Sequence, residues 1–256
     1  METPNTTDKQ LDLLLFLYKF YYLNTNQVQK LLKHKNPQGI QVWLQDLVKK
    51  GYITYRDFNR KKFINNTRPA IYTLTKVARK KLKKNPKCEL TILNRVYQEK
   101  KRSDIFRSHW LFMADLYFSF LEVAQKQNLK LNFYTSTDLA DFAYTPLPLP
   151  DAYITVTEHQ KSIKRYFLNC FDEKKPRFVM RNRIAAYCRY YKGSYWQEHV
   201  KHPFPKILII CPNTFTKIYL SRFIIKTIKV EKVEIEFFLA LKTDIQNEGI
   251  QEDTWD

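Results

Sequence analysis

The stretch LPDAYITV, residues 149–156, opens with a proline–aspartate pair and continues as a run of strand-forming side chains. Tyr, Ile, Thr and Val favour extended backbone, whereas Pro-Asp is typical of the turn before a strand. Further along, FDEKK at 171–175 places two acids directly before two lysines. An aspartate at one strand start, with an acid and a lysine near the next strand, is a frequent arrangement in metal-dependent nucleases.

The segments around this stretch alternate between helical and strand patterns. A long amphipathic helix begins at Ser103 or Asp104, and KILIIC at 206–211 is apolar enough for a buried central strand. The sequence also predicts strands at 129–136, 151–156, 164–171 and 233–241, and helices at 176–191 and 214–229. The order α-β-β-β-α-β-α-β is the core layout of the restriction-endonuclease-like fold. Residues 103–242 are therefore predicted to form an α/β (α+β) domain of that kind.

In such a domain, carboxylates would hold a divalent cation and a lysine would position the attacking water. The candidate residues are Asp151, Asp172, Glu173 and Lys174. Strand alternation, however, puts Asn169, Cys170 and Phe171 level with Asp151, and none of these is a charged ligand. The acids that follow would then lie at the strand exit. We therefore predict a degenerate site with no assigned catalytic or metal-binding residue, and Mg²⁺ only if the nuclease alternative holds.

The first third of the chain predicts a winged helix-turn-helix over residues 8–85. Three helical patterns precede two strand patterns, at 52–55 and 70–74, and a further basic helix follows them. Pro37 opens the third helix and Gly51 ends it, which are the positions where helices favour these residues. Between the two strands lies a polar, basic segment that would form the wing.

The surface chemistry of this domain fits duplex DNA. Gln on the outward face of the third helix can pair with adenine edges, and Lys can contact guanine or phosphate. Cations of the wing and of the following helix can reach phosphates or the minor groove. The candidate DNA-binding residues are Gln38, Gln41, Gln45, Lys49, Lys50, Arg56, Arg60, Lys61, Lys62, Arg79 and Lys80. The alternative is a winged helix that binds protein, with a solvated charged face.

Charge is concentrated at the start of the chain. The net charge is +19, and residues 1–85 carry 18 Lys and Arg against 5 Asp and Glu, a net of +13. The remaining 171 residues carry 26 against 20, a net of +6. A polyanion is the natural partner of such a first third, and nucleic acid is the commonest polyanion.

The other segments carry weaker signals. Residues 86–102 are predicted to be a linker and residues 243–256 an acidic tail, because both are polar and charged. The four cysteines include no C-x-x-C pair, so no zinc site is predicted, and Cys170 and Cys211 lie in apolar runs as buried thiols. A polar start and apolar runs interrupted by Lys and Arg favour a cytoplasmic protein with no membrane partner.

Several features follow one another in a fixed order along the chain. They are the winged helix, His109, LPDAYI, a strand that ends in an acid before a helix, Arg183, the tyrosines of YCRYY, Trp196 and FPKILII. From about Leu11 to Cys211, this ordered set resembles the replication-relaxation family, whose members are associated with bacterial plasmid replication, DNA relaxation and mobilisation. Members usually carry Glu-x-Asp on the third strand, as in FLEVD, whereas this chain has FLNCFD. With Leu168 in register, Asn169 replaces the Glu and Phe171 the Asp.

The resemblance implies DNA handling near plasmids or other mobile elements. We predict a DNA-binding accessory protein in plasmid or mobile-element replication, relaxation or mobilisation, with a nuclease-like but inactive second domain. Double-stranded DNA is the predicted ligand, a relaxase or replication initiator the candidate protein partner, and a homodimer the candidate assembly. One alternative is a Mg²⁺-dependent endonuclease using Asp151, Asp172 or Glu173, and Lys174. The other is a winged-helix transcriptional regulator.

Overall fold

A computed structural model of the chain describes residues 4–34, 36–56, 69–99, 102–158, 162–251 and 254. The chain divides into two compact units, Met1–Phe118 and Ser119–Asp256. The described residues of the first unit contain a three-stranded sheet, and those of the second a five-stranded sheet. The predicted mixed α/β class is therefore confirmed.

The first unit is mostly helical, with a small antiparallel sheet in the order β1-β3-β2. Its elements are α1 (Asp8–Phe20), β1 (Leu23–Asn24), α2 (Thr25–Leu32), α3 (Pro37–Lys49), β2 (Ile53–Arg56), β3 (Ile71–Leu74), α4 (Lys76–Leu82), α5 (Leu90–Glu99) and the first part of α6 (Asp104–Lys126). Apart from the two-residue strand β1, the order through α4 is the one predicted for a winged helix-turn-helix. The predicted wing residues Arg60, Lys61 and Lys62 lie outside the described residues, as does the side chain of Arg56.

Local sequence signals fix the helix ends of this unit. Thr7 and Asn24 each cap a helix through a capping box, in which the cap side chain and the glutamine three residues later bond to each other's backbone N–H groups. Asn36 caps α3 and Pro37 occupies its first turn. Gly51 follows the end of α3 and has φ 72°, a backbone conformation that glycine adopts without strain.

The predicted linker, 86–102, contains helix α5. The apolar side chains of this helix recur at helical spacing and form one apolar face. Leu93 and Val96 lie on that face and are buried. The predicted domain start at 103 also differs from the division between the units. The reason is that Trp110 near the start of α6 packs on Tyr21, with ring centroids 4.3 Å apart. Both segments therefore belong to the packed first unit.

From α6 onward the described elements follow the predicted α-β-β-β-α-β-α-β order, with a 3-10 turn and two short α-helices in addition. The sheet of the second unit has the order β4-β5-β6-β7-β8, antiparallel from β4 to β6 and parallel from β6 to β8. After the end of α6, the elements are β4 (Lys130–Thr135), a 3-10 turn (Asp138–Asp141), β5 (Ala152–Glu158), β6 (Ser162–Cys170), α7 (Arg177–Lys192), α8 (Tyr195–Val200), β7 (Lys206–Cys211), α9 (Thr214–Glu231), β8 (Phe237–Leu241) and α10 (Lys242–Glu248).

One face of this sheet packs against α7 and α9. Phe167 and Ile209 from the strands meet Ile184 and Leu220 from the helices in one buried cluster. The first residues of the predicted acidic tail are ordered, because α10 covers Lys242–Glu248 and its Ile245 is buried. Among the described helices, none has a stretch long and apolar enough to cross a bilayer.

The cysteines lie in different surroundings in the two units. Cys170, Cys188 and Cys211 are buried in the second unit, and Cys88 is half-buried in the first. Burial raises the pKa of the Cys88 thiol to about 11 and also raises the pKa values of the Cys170 and Cys188 thiols. These thiols are therefore protonated and weakly reactive at neutral pH while the protein is folded.

Candidate functional site

Helix α3 presents a polar face to solvent. Ile40, Leu44 and Leu47 are at most 1% exposed and anchor the opposite face in the core of the first unit. The exposed residues are Gln38, Gln41, Val42, Gln45 and Lys49. The helical period thus separates the two faces as the sequence predicts, and the glutamines and Lys49 could reach a ligand laid against the helix.

Lys50, the last predicted residue of this face, is engaged within the protein. Its Nζ lies 2.7 Å from Asp46 Oδ2, which also accepts a 2.7 Å hydrogen bond from Gln10 Nε2. The hydrogen bonds from Lys50 and Gln10 lower the pKa of Asp46. Because Gln10 belongs to α1, this network ties α3 to its neighbour and makes Lys50 less available to a ligand than Lys49.

The two predicted cations of α4 have different surroundings. Arg79 donates to Asn94 Oδ1 at 3.1 Å, and its guanidinium carbon lies 5.0 Å from the centroid of the Tyr97 ring. Both partners lie on α5, so Arg79 holds α5 against α4. Lys80 is exposed and could contact a phosphate.

A buried glutamine that the sequence reasoning missed supports the helix-turn-helix. Gln27 is 1% exposed, and its Oε1 accepts a 2.9 Å hydrogen bond from the Asn24 backbone. Its Nε2 donates to Leu111 O at 2.8 Å and to Asp115 Oδ1 at 2.7 Å. The amide therefore joins α2 to α6 within the first unit. The N-x-x-Q spacing of the capping box was the available sequence signal, but it did not reveal the partners on α6.

Asp151 continues the strand ladder at the start of β5. Its backbone N–H donates to Leu168 O at 2.9 Å, and its carbonyl accepts from the Ser136 N–H at 3.0 Å. Its side-chain Oδ2 accepts a 2.7 Å hydrogen bond from the Cys170 N–H. The carboxylate therefore satisfies a backbone donor at the end of β6, which is a structural use of the residue.

The third-strand positions expected to replace two acids are buried. Asn169 is 1% exposed, and its Nδ2 lies 2.8 Å from the hydroxyl oxygen of Tyr187 on α7. Burial raises the pKa of Tyr187, although Arg183 and the bond to Asn169 act in the opposite direction. Phe171 is 4% exposed and belongs to the core under α7. These positions thus carry a neutral hydrogen-bonded pair and a packed ring.

The acids that follow β6 form a turn. Asp172 Oδ1 accepts from the Lys174 N–H at 2.9 Å, and Asp172 O accepts from the Lys175 N–H at 3.1 Å. Glu173 and Lys174 are exposed. Within the described ranges, no group of three or more His, Cys, Asp or Glu residues could hold a metal ion. Asn169 and Phe171, the residues that strand alternation puts level with Asp151, offer no charged oxygen to a Mg²⁺ ion.

Helix α7 also holds the loop that leads into β5. Arg183 Nη1 donates to the carbonyls of Pro148 and Leu149, the second at 2.5 Å. The Tyr190 hydroxyl donates to Tyr144 O at 3.0 Å, and burial raises the pKa of Tyr190 to about 12. Arg183 and Tyr190 stand in the ordered set of sequence features, but their loop partners could not be read from spacing.

Comparisons with known proteins show what this chain is similar to. Among curated protein sequences, no significant match to this chain was found. Among solved structures, the chain is similar to restriction endonuclease FokI, with 13% identity and a TM-score of 0.34 over 98% of this chain and 47% of that chain. It is also similar to FokI bound to DNA, with 12% identity and a TM-score of 0.32 over 96% and 45% of the two chains. The chain thus spans about half the length of that enzyme, and similarity this weak identifies no shared site.

Residues 14–207 match the sequence pattern described as replication-relaxation, which covers most of the chain. The chain therefore belongs to the replication-relaxation family.

Proposed function

We propose that the chain is a DNA-binding accessory protein in plasmid or mobile-element replication, relaxation or mobilisation. The observation that carries the proposal is the exposed face of α3, where Gln38, Gln41, Gln45 and Lys49 lie opposite a fully buried apolar face. Glutamine amides can bond to base edges in the major groove, and lysine can contact phosphate. Double-stranded DNA is therefore the proposed ligand of the first unit.

The charge distribution supports this ligand. Residues 1–85 carry a net charge of +13, and Lys80 and Lys49 are both exposed. Such a charge attracts a polyanion and releases counterions when phosphates are contacted. The predicted wing cations Arg60, Lys61 and Lys62 are included in this proposal.

The second unit is proposed to be nuclease-like but inactive. Asp151 bonds to the backbone of β6, Asn169 bonds to Tyr187, and Phe171 packs in the core. These arrangements place no second carboxylate level with Asp151, which supports the proposed inactivity. A relaxase or a replication initiator is the proposed protein partner, and a homodimer is the proposed assembly. Analytical ultracentrifugation with and without duplex DNA would measure the assembly.

The role of α3 is tested by replacing Lys49 with Gln. We expect weaker binding of the full chain to duplex DNA and a salt slope reduced by about one, because one phosphate contact is lost. Fluorescence anisotropy from about 50 to about 200 mM salt measures both quantities. Lys50→Gln is the matched control and should change them less, because Lys50 is paired with Asp46. If neither Lys49→Gln nor Gln41→Ala changes binding, α3 does not contact the DNA.

Cleavage is tested separately with supercoiled plasmid and Mg²⁺ or Mn²⁺. We expect the wild-type chain to produce no metal-dependent nicks, because Asn169 and Phe171 occupy the strand positions where a second charged ligand would stand. Asp151→Ala is the comparison variant, with Asp172→Ala as the control for the neighbouring turn. Metal-dependent nicking that disappears in Asp151→Ala would establish the endonuclease alternative and overturn the proposed inactivity.

A further inference from the structure

Three aromatic rings stack at the surface of the second unit. The rings of Tyr144 and His199 have centroids 4.4 Å apart and planes inclined by 23°. The rings of Tyr195 and His199 have centroids 5.5 Å apart and planes inclined by 12°. Tyr144 is 41% exposed, Tyr195 is 58% exposed, and His199 is exposed. Nearly parallel rings with this much exposure offer flat aromatic surface to a planar ligand.

The rings are held in place from both sides. The loop that carries Tyr144 is fixed to α7, because the Tyr190 hydroxyl donates to the Tyr144 carbonyl at 3.0 Å. His199 Nδ1 lies 2.9 Å from the Tyr195 carbonyl, to which it donates across one turn of α8. Trp196, between them in sequence, is buried and donates through Nε1 to His202 O at 3.0 Å. The stack is therefore pre-organised, and a ligand would not need to order it.

The surrounding segment is basic. Helix α7 contains five Lys and Arg residues and no acid, and residues 172–206 carry nine Lys and Arg against three Asp and Glu. Arg189 on α7 and Lys201 directly after α8 are exposed. An exposed aromatic surface within a basic segment matches a ligand that has both flat rings and negative charge.

We propose that the stack of Tyr144, His199 and Tyr195 binds the bases of single-stranded DNA, with the basic segment attracting its phosphates. Unpaired bases have free ring faces, whereas the bases of a duplex are stacked on one another and expose only their edges in the grooves. The site lies in the second unit and goes beyond the duplex binding proposed for α3. The two proposals can therefore fail independently.

The test measures binding of the full chain to a labelled oligothymidylate of about 12 nucleotides, a length typical of single-strand sites. A strand of equal length with abasic positions keeps the phosphates and removes the bases. We expect the abasic strand to bind about tenfold more weakly, because stacking of even one base contributes about that much. Tyr195→Ala should weaken oligothymidylate binding by a similar factor, and Tyr195→Phe should retain it.

Phe178→Ala is the matched control, because Phe178 is also an aromatic residue of the second unit and is 57% exposed. It should leave oligothymidylate binding unchanged, as Tyr195→Ala should leave duplex binding unchanged. Equal binding of the intact and abasic strands would overturn the proposal. So would equal losses in Tyr195→Ala and Phe178→Ala, or competition by polyglutamate as strong as by oligothymidylate, which would indicate an acidic protein partner. Failure of the α3 variants to affect duplex binding would overturn only the function proposed for the first unit.

Discussion

The exposed face of α3 and the end of strand β6 are the two regions where the sequence suggested a DNA-binding face and a metal site, yet their side chains lie in opposite environments. On α3, Gln41 and Lys49 remain in solvent. At the end of β6, Asn169 and Phe171 are buried under α7. A surface helix reveals its exposed face through its own period, whereas the fate of a strand end depends on what distant segments pack against it. The first region is therefore open to a ligand, and the second is closed by packing.

Replacing Phe171 with Asp should have the largest effect on the stability of the protein. The change buries a charge and removes a packed ring, so we expect the free energy of unfolding to fall by about 4 kcal/mol or more. Urea denaturation followed by circular dichroism measures the loss. Asp172→Ala, in the adjacent turn, should cost less than about 1 kcal/mol. If Mg²⁺ restored the stability of Phe171→Asp, the strand end could hold a cation and the contrast would be broken.

The buried pair of Asn169 and Tyr187 should show an intermediate effect. Asn169→Ala leaves a buried hydroxyl without this partner and should cost about 1 to 3 kcal/mol, and Tyr187→Phe should cost about 1 kcal/mol. The double variant should lose less than the sum of the two, because the single changes remove the same hydrogen bond. If the losses in free energy of unfolding were strictly additive in urea denaturation, the hydrogen bond between Asn169 and Tyr187 would contribute nothing to stability.

The smallest effect is expected at Asp46, in the network of α1 and α3. Hydrogen bonds from Lys50 and Gln10 lower the pKa of this carboxyl below its ordinary value. Its stabilising contribution is therefore present at neutral pH and is lost as the pH falls through the lowered pKa. Thermal unfolding of the wild type and Asp46→Asn should differ slightly near pH 7 and converge by about pH 2. A difference that grows on acidification would contradict this assignment.

Sequence patterns predicted the fold more completely than the sites. The apolar run KILIIC corresponds to β7 at Lys206–Cys211, because a buried central strand is short and almost wholly apolar. The glutamines predicted to face outward on α3 are exposed, because they lie opposite the buried Ile40, Leu44 and Leu47 on the helical period. Helix α5 was hidden in a segment whose charge suggested a linker, although its apolar residues recur at helical spacing.

The contacts that define the sites join residues far apart in the chain. The sequence indicated that Asn169 and Phe171 could not act as charged ligands, since that depends on residue type and strand alternation alone. It could not indicate that Asn169 would bond to Tyr187, or that Asp151 would accept from the Cys170 backbone. Nor could it separate Lys49 from Lys50, because the difference lies in Asp46, which pairs with Lys50 and also accepts a hydrogen bond from Gln10. Periodicity predicts faces, whereas hydrogen-bond partners require the tertiary structure.

The buried cysteines give the second unit an internal probe of its opening. Cys188 and Cys211 are at most 1% exposed, so an alkylating reagent reaches them only when the second unit opens. Cys88 lies in the first unit and is only half-buried. Mass spectrometry of the labelled peptides could therefore follow the opening of the second unit, with Cys88 as an internal reference, in one unmodified protein. Adding duplex or single-stranded DNA during labelling would show which of the two ligands stabilises the second unit.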